Sequence, residues 1–149
     1  MTTEHASEHA VVSAPPAACW AVAIDIEQYP VWAQDIKEAV VLQRDAVGRP
    51  TKVAFRAAAM GRTTSYTLDY SYPDEDRIIR WTLAEGDIMK RLDGSYAFTP
   101  TAEGGTAIDY DLTVELLVPV PGFVKRRAEG KIMITALREL RHRVEALTP

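Results

Sequence analysis

The feature that most constrains this chain is a series of half-apolar strands followed by one long amphipathic helix. From position 39 onward apolar residues recur at every second position, and turn residues separate the runs, as in short strands joined by hairpins. From Phe123 to about Leu147 the spacing becomes that of a helix with one apolar face. A half-apolar sheet and a single helix must bury each other. The sequence therefore predicts an α+β fold in which an antiparallel sheet packs on a C-terminal helix.

Two of the predicted strands indicate which side of the sheet is buried. In one, Tyr66, Leu68 and Tyr70 alternate with polar residues, and in the other Ile108 and Tyr110 begin a similar alternation with acidic residues and threonine. One apolar and one polar face is typical of an antiparallel sheet that is covered on one side. Gly94, inside another strand, is interpreted as a β-bulge that bends the sheet. The predicted strands are 9–13, 36–42, 51–60, 63–72, 77–83, 88–98 and 106–117.

The segment between the first two strands is predicted to be helical. Pro15 and Pro16 suit a helix start, where a missing N–H donor matters least. Apolar residues then follow at helical spacing, and Tyr29-Pro30 is expected to end the helix, because proline cannot continue the hydrogen-bond ladder. The chain from Asp25 to Leu42 reads DIEQYPVWAQDIKEAVVL, so that a tryptophan follows the proline closely.

This order of elements resembles the polyketide cyclase/dehydrase and lipid-transport group of the START-like (SRPBCC) superfamily, in which a helix ends in a D-I-x-x-Y-P-x-W pattern before the second strand. The group includes coenzyme Q-binding-type proteins, and the resemblance covers nearly the whole chain. It implies a helix-grip (START/Bet v 1-like) fold, with a curved antiparallel sheet of about seven strands around the C-terminal helix and one or two short helices after the first strand. It also implies a hydrophobic cavity between sheet and helix.

Length and composition favour one domain spanning residues 1–149. No apolar run reaches the roughly 20 residues of a membrane span, and the N-terminal residues do not resemble a secretory signal. Cys19 is the single cysteine, which excludes an internal disulfide and fits a reducing compartment. We therefore expect a cytoplasmic protein, either a monomer or a homodimer.

The charge pattern argues against nucleic acid as a partner. The net charge is −4, and basic residues are concentrated after Pro119, where seven Lys or Arg accompany three Glu. Phosphate binding needs a concentrated basic surface, which the body of the domain lacks. The basic residues of the last helix have two possible interpretations. They form either a solvated surface or a site of transient contact with an anionic membrane or an acidic protein.

Metal and cofactor motifs are missing from the sequence. His5, His9 and His142 do not have the spacing of metal ligands, and there is no glycine-rich phosphate loop. Cys19 lies on an apolar helical stripe and is interpreted as a small buried hydrophobic residue. We expect neither a metal site nor a cofactor.

The candidate site residues are those predicted to face the cavity. Alternation places aromatic side chains on the concave face of the sheet, and helical spacing adds two residues of the C-terminal helix. The predicted lining is Phe55, Tyr66, Tyr70, Trp81, Tyr96, Tyr110, Met133 and Leu137. Tyrosine hydroxyls around a cavity could orient a polar group of a ligand while the rings hold its apolar body. The alternative is that these rings simply fill a packed core.

The cavity entrance is expected where apolar residues lie at the ends of the helices. Trp32, Val120 and Phe123 are the candidate gate, because START-like proteins gate the cavity with loops at this rim. The alternative is a rigid strand-to-helix corner with Phe123 in the core.

Three functions remain open at this point. The first is a carrier or sensor that binds a small hydrophobic molecule such as a lipid, a quinone or a polyketide-like compound. The second is a cyclase or dehydratase, which needs a positioned proton donor and acceptor. Glu129 is predicted to lie away from the apolar face of the last helix, so no inward acid supports this second function. The third is a protein-interaction module with a vestigial cavity.

Overall fold

Within residues 4–59, 61–74, 77–117 and 121–147, which the computed structural model describes, seven antiparallel strands form one sheet. Their order is β1-β7-β6-β5-β4-β3-β2. The strands are β1 (Glu4–Val12), β2 (Ile36–Arg44), β3 (Pro50–Ala59), β4 (Arg62–Asp74), β5 (Ile78–Gly86), β6 (Met89–Pro100) and β7 (Thr106–Leu116). Consecutive strands from β2 to β7 pair with each other, and β1 pairs with β7. The predicted helix-grip arrangement is confirmed.

The helices lie on one side of this sheet. They are α1 (Pro16–Ile24), a single 3₁₀ turn (Ile26–Gln28), α2 (Tyr29–Trp32) and α3 (Gly122–Leu147). The first helix ends at Asp25, whose backbone leaves the helical region, and not at Tyr29-Pro30 as predicted. Pro30 instead lies in the first turn of α2, where the missing N–H donor costs nothing. A proline marks the last position at which a preceding helix can end, and this helix ends earlier.

The first strand is longer than the predicted 9–13. Strand β1 pairs with β7 from Glu4 to Val12. Its outer face is polar, and His9 Nδ1 lies 2.9 Å from a carboxylate oxygen of Asp109. These polar residues do not give the apolar alternation by which strands are recognised in a sequence. The first half of β1 was therefore not predicted.

One end of the interior is closely packed, and we call it the closed end. Here α1 contacts α3 and β6. Trp20 packs edge-on against Phe98, with 6.0 Å between the ring centroids. Thr106 Oγ1 donates to the Ala14 carbonyl at 2.7 Å, and the Ser13 N–H donates to the Glu145 carboxylate at 2.9 Å. The last turns of α3 are therefore fixed to the corner between β1 and α1.

Gly94 allows the sheet to accommodate a large ring and is not the predicted bulge. It pairs in regular register with Trp81 on one side and Leu112 on the other. A Cβ atom at position 94 would lie 2.5 Å from the Trp81 ring. Register shifts occur elsewhere, in β2, in β4 and between Met89 and Arg91 in β6, and these irregularities bend the sheet.

Candidate ligand-binding cavity

A cavity of about 190 Å³ lies between the inner face of the sheet, α2 and the first half of α3. Its volume exceeds the roughly 150 Å³ of an apolar protein cavity that stays dry and binds benzene. Sheet residues contribute the aromatic and aliphatic wall, and α3 contributes three short side chains and three longer ones. The residues with side chains or backbone in the wall include Tyr29, Trp32, Asp35, Phe55, Tyr66, Leu68, Tyr70, Trp81, Met89, Leu92, Tyr96, Tyr110, Leu112, Val114, Ala128, Glu129, Ile132, Thr135, Ala136 and Glu139.

The aromatic wall follows directly from the strand register. Phe55 pairs with Tyr66 across β3 and β4, Tyr70 pairs with Trp81 across β4 and β5, and Tyr96 pairs with Tyr110 across β6 and β7. The ring centroids of these pairs are 5.3, 6.0 and 4.6 Å apart. Such cross-strand aromatic pairs stabilise a sheet and stiffen it. All six sheet residues predicted for the lining are therefore brought to one cavity.

The two helix residues of the predicted lining lie elsewhere. Met133 is completely buried and Leu137 is 5% exposed, and both belong to the packed core, outside the cavity wall. They share a stripe with Leu140 and Val144, at spacings of four, three and four residues. The cavity instead contacts a neighbouring stripe of α3, which runs through Ala128, Glu129, Ile132, Thr135, Ala136 and Glu139.

The small residues of that second stripe explain why the space exists. Ala128, Thr135 and Ala136 reach less far towards the sheet than leucine or methionine would. Short side chains on the helix leave space between α3 and the sheet, because the large rings of the aromatic wall prevent a closer approach of the sheet. The small residues of α3, and not its large apolar residues, would therefore have located the cavity from the sequence.

Several of the tyrosine hydroxyls have hydrogen-bond partners within the protein. Tyr29 donates to the Ala23 carbonyl, and Tyr72 donates to the Pro50 carbonyl at 2.5 Å. The Tyr96 and Tyr110 hydroxyls interact with each other. Tyr70 is buried and also lies in the cavity wall. Together these rings form an aromatic wall with phenol groups that could orient a polar group of a ligand.

Burial keeps these phenols protonated. Desolvation raises the pKa of Tyr66, Tyr70, Tyr96 and Tyr110 well above the usual value, because the phenolate would lose its hydration in the apolar cavity. At neutral pH they can donate or accept hydrogen bonds, but they cannot act as bases.

Carboxyl groups also line the cavity, which the sequence interpretation missed. Glu129 is 3% exposed and lies in the wall, so its predicted position away from the apolar face is wrong. The reason is helical geometry: Glu129 precedes Met133 by four residues and Ala136 by seven, and therefore shares their side of α3. Asp35 and Glu139 lie at the rim, where the Gln34 N–H donates to the Glu139 carboxylate at 3.2 Å.

Of the three candidate gate residues, only Trp32 can be located in full. It contributes to the cavity wall at the end of α2 and packs edge-on against Tyr29, with 5.1 Å between the centroids. Val120 lies outside the described residues. Phe123 lies in the first turn of α3, but its side chain is also outside the described part of the chain.

Two further properties of the described ranges concern metal binding and membrane crossing. Within these ranges, no group of three or more His, Cys, Asp or Glu side chains is arranged to hold a metal ion. Within the same part of the chain, no helix is both long and apolar enough to cross a bilayer.

The family assignment rests on this fold and on the sequence. The model of the polyketide cyclase/dehydrase and lipid transport family matches residues 3–146, and the chain belongs to that family. This membership and the START-like fold support hydrophobic ligand binding or cyclase activity in general. No functionally curated protein matches the sequence significantly.

Solved structures show the same architecture over the whole chain. A START superfamily protein from Mycobacterium smegmatis is 28% identical with a TM-score of 0.91, and the match covers 97% of this chain and 99% of the other. A protein from Thermus thermophilus is 25% identical with a TM-score of 0.79, covering 99% and 100%. The Zhui aromatase/cyclase from Streptomyces sp. R1128 is 13% identical with a TM-score of 0.85, covering 97% and 94%. At that identity the last likeness concerns the fold alone.

Proposed function

We propose that the protein binds a small hydrophobic molecule in this cavity and acts as its carrier or sensor. The observation that carries the proposal is the aromatic cavity of about 190 Å³ beneath α3. An apolar void of this size costs stability, because the lining atoms lack packing partners on one side. A ligand that fills it restores those contacts, so a lipid tail, a quinone or a polyketide-like ring system suits the space.

The proposed contact residues are those of the aromatic wall. Phe55, Tyr66 and Trp81 would hold the apolar body of the ligand, and the hydroxyl of Tyr70 would bind an oxygen of the ligand. Trp32 is the proposed gate, because it lies between the cavity and solvent at the end of α2. Replacing Trp32 with alanine should raise the association and dissociation rates together and leave Kd almost unchanged. A change in Kd alone would instead assign Trp32 to the binding wall.

The test of the binding function is native mass spectrometry of the protein purified from a cell extract. Denaturation should then release a small hydrophobic molecule in stoichiometric amount. In parallel, lipids, quinones and aromatic polyketides are added to the purified protein, and a specific ligand should raise Tm through mass action. A protein that is empty and gains no thermal stability from any of these compounds would contradict the proposal.

A second candidate function is a cyclase or dehydratase reaction, and Glu129 is the observation that favours it. A carboxyl group in an apolar wall could donate or accept a proton at a bound carbonyl compound. The tyrosines could add hydrogen bonds but no base, since burial keeps them protonated. Under this alternative, Glu129→Gln would abolish turnover of a polyketide-type substrate while its binding persisted. Binding without turnover in the unmodified protein would favour the carrier function.

The third function, an interaction module with a vestigial cavity, has less support. It requires a collapsed interior, and the space beneath α3 argues against one. The basic residues of α3 remain a proposed surface for transient contact with an anionic membrane or an acidic protein.

A further inference from the structure

The cavity beneath α3 is smaller than the pockets that hold most drug-sized ligands. Such pockets have volumes of roughly 300–1,000 Å³, whereas an apolar cavity of roughly 150 Å³ binds benzene. At about 190 Å³ this cavity is close to the smaller of these values. One substituted ring or two fused rings, roughly ten non-hydrogen atoms, would fill it at the packing density of a protein interior. A system of three fused rings exceeds it.

The sheet side of the cavity has little room to move back for a larger molecule, as Trp81 shows. Its ring centroid lies 6.0, 5.2 and 5.9 Å from those of Tyr70, Tyr96 and Tyr110. The same ring lies against the backbone of Gly94, where a Cβ atom would be 2.5 Å from it. A ring enclosed on these sides has no empty space to turn into, because protein interiors are close-packed. The wall, and not the ligand, therefore sets the volume.

A stacked pair of rings, Phe55 and Tyr66, separates the cavity from a second space. This space, of about 310 Å³, is lined by polar residues that include the exposed Ser65, Glu85 and Asp87. Among the described residues, Phe55 and Tyr66 are the only two that both walls share. Their ring centroids are 5.3 Å apart, with 24° between the ring planes. The pair is therefore a partition between an apolar cavity and a polar depression that faces solvent.

Contacts on both sides of the partition hold it in place. On the cavity side, the ring of Tyr29 stacks on Phe55 with 6.5 Å between the centroids, and its hydroxyl donates to the Ala23 carbonyl of α1. On the side of the depression, the Ser65 N–H donates to the Asp87 carboxylate at 3.0 Å, which fixes the turn after β5 to β4. A row of stacked rings that is anchored in this way resists being pushed aside by a ligand.

We propose that the cavity selects a compact aromatic molecule of one or two fused rings, and that the partition of Phe55 and Tyr66 sets this limit. The inference rests on the proposed binding function and narrows its ligand class. A flat aromatic ligand suits a wall of aromatic rings, because ring pairs gain free energy beyond the area that they bury. A third ring would have to displace the partition or remain in water outside the rim.

The experiment compares three probes that carry the same hydroxymethyl group and differ in the number of fused rings. Binding of benzyl alcohol, 1-naphthalenemethanol and 9-anthracenemethanol to the full chain is measured by equilibrium dialysis. The two-ring probe should bind more tightly than benzyl alcohol, which fills less of the space, and at least tenfold more tightly than the three-ring probe. Without a size limit the third ring would raise the affinity, because it adds apolar area.

Two tyrosines of β4 provide a matched pair of variants. Tyr66→Ala opens the partition and should reduce the preference for two rings over three at least fivefold. Tyr72→Ala removes a tyrosine from the same face of the same strand, outside the cavity wall, and should leave that preference unchanged. Thermal unfolding of each variant shows that it is folded under the conditions of dialysis.

A second pair on α3 makes the test independent of the stability of the tyrosine variants. Ile132 contributes to the cavity wall, whereas Ile134 is 53% exposed and does not. Ile132→Ala enlarges the cavity and should reduce the preference for two rings at least threefold, and Ile134→Ala should not change it.

The outcomes separate the size limit from the binding function. Equal or tighter binding of 9-anthracenemethanol to the unmodified protein would overturn the size limit and leave hydrophobic binding intact. An unchanged preference in a folded Tyr66→Ala variant would overturn the role of the partition. Failure of all three probes to bind would contradict the binding function as well.

Discussion

The two ends of the interior are built from the same helix and the same sheet, yet one is packed and the other is open. At the closed end, α3 presents Leu140 and Val144, which are almost completely buried among Phe98 and the residues of α1. At the cavity end, α3 presents Ala128 and Ala136 to a wall of aromatic rings. The difference lies in side-chain size and in the presence of α1, since the backbone elements are continuous through both ends.

This comparison assigns stability and binding to different regions. Close packing contributes most of the folding free energy, and a void reduces it locally. A protein of this fold can therefore change its ligand by changing residues at the cavity end, as long as the closed end holds the helix on the sheet.

The largest expected difference comes from removing a leucine at each end. Leu140→Ala, at 1% exposure in the closed end, should lower the free energy of unfolding by about 4 kcal/mol. Leu68→Ala, in the cavity wall, should cost about 2.5 kcal/mol, because that side chain already lacks neighbours on one side. Urea denaturation of both variants measures the difference. Equal losses would mean that the two ends are packed alike.

Replacing an alanine with leucine at each end should again destabilise the closed end more than the cavity end. Ala23→Leu, in the closed end, should overpack α1 and cost about 1–3 kcal/mol. Ala136→Leu should fill part of the cavity, leave stability within about 1 kcal/mol, and weaken ligand binding roughly tenfold. Denaturation and calorimetry on the same two proteins give both quantities. A strongly destabilised Ala136→Leu variant would show that the space beneath α3 cannot accept a larger side chain.

Much of the fold could be predicted from the sequence, because strand alternation and helical spacing are local patterns. The inward positions of Tyr66 and Trp81 followed from alternation alone. The cavity stripe of α3 could not be predicted in the same way, since Glu129 and Met133 lie on the same side of the helix and only tertiary packing decides that one faces the cavity and the other the core. The first half of β1 was missed because its polar residues give a weak local signal that pairing with β7 outweighs. The end of α1 at Asp25 was placed too late, because no proline or glycine marks it.

Alkaline titration should distinguish the buried tyrosines from ordinary phenols. Burial raises the pKa of Tyr72 to about 12, and the other five tyrosines are shifted upward as well. In the unfolded chain these groups lose protons near pH 10. The folded state then holds more protons, so stability that is complete below pH 10 declines as the pH rises further.

The measurement is absorbance of the phenolate together with circular dichroism. Phenolate should form cooperatively, at the pH where the protein unfolds. Gradual formation near pH 10 with the fold intact would contradict the burial of the tyrosine wall.

The smallest expected effect concerns the two carboxylates that attach α3 to the rest of the protein. The pKa of Glu145, at the closed end, is lowered, and the largest cause is the hydrogen bond that its carboxylate accepts from the Ser13 N–H. The stability that this bond provides is therefore present above the ordinary carboxyl pKa of about 4.3 and is lost as the pH falls below it.

Glu145→Gln should lower Tm by a few degrees at pH 7 and have less effect near pH 3. Glu139→Gln, which changes the bond to Gln34 at the cavity rim, should alter ligand binding more than Tm. Thermal unfolding at both pH values measures the first effect. A pH-independent loss in Glu145→Gln would contradict the ionic character of this attachment.

The most direct test uses the three tryptophans, which are distributed between the two regions. Trp81 and Trp32 line the cavity, and Trp20 packs against Phe98 in the closed end. The indole N–H resonances of ¹⁵N-labelled protein can be assigned by single Trp→Phe variants and followed during titration with 1-naphthalenemethanol. If the cavity end is the binding site, the Trp81 and Trp32 resonances should shift in a saturable way while that of Trp20 stays in place. Equal shifts of all three, or none at saturating probe, would contradict a ligand site beneath the first half of α3.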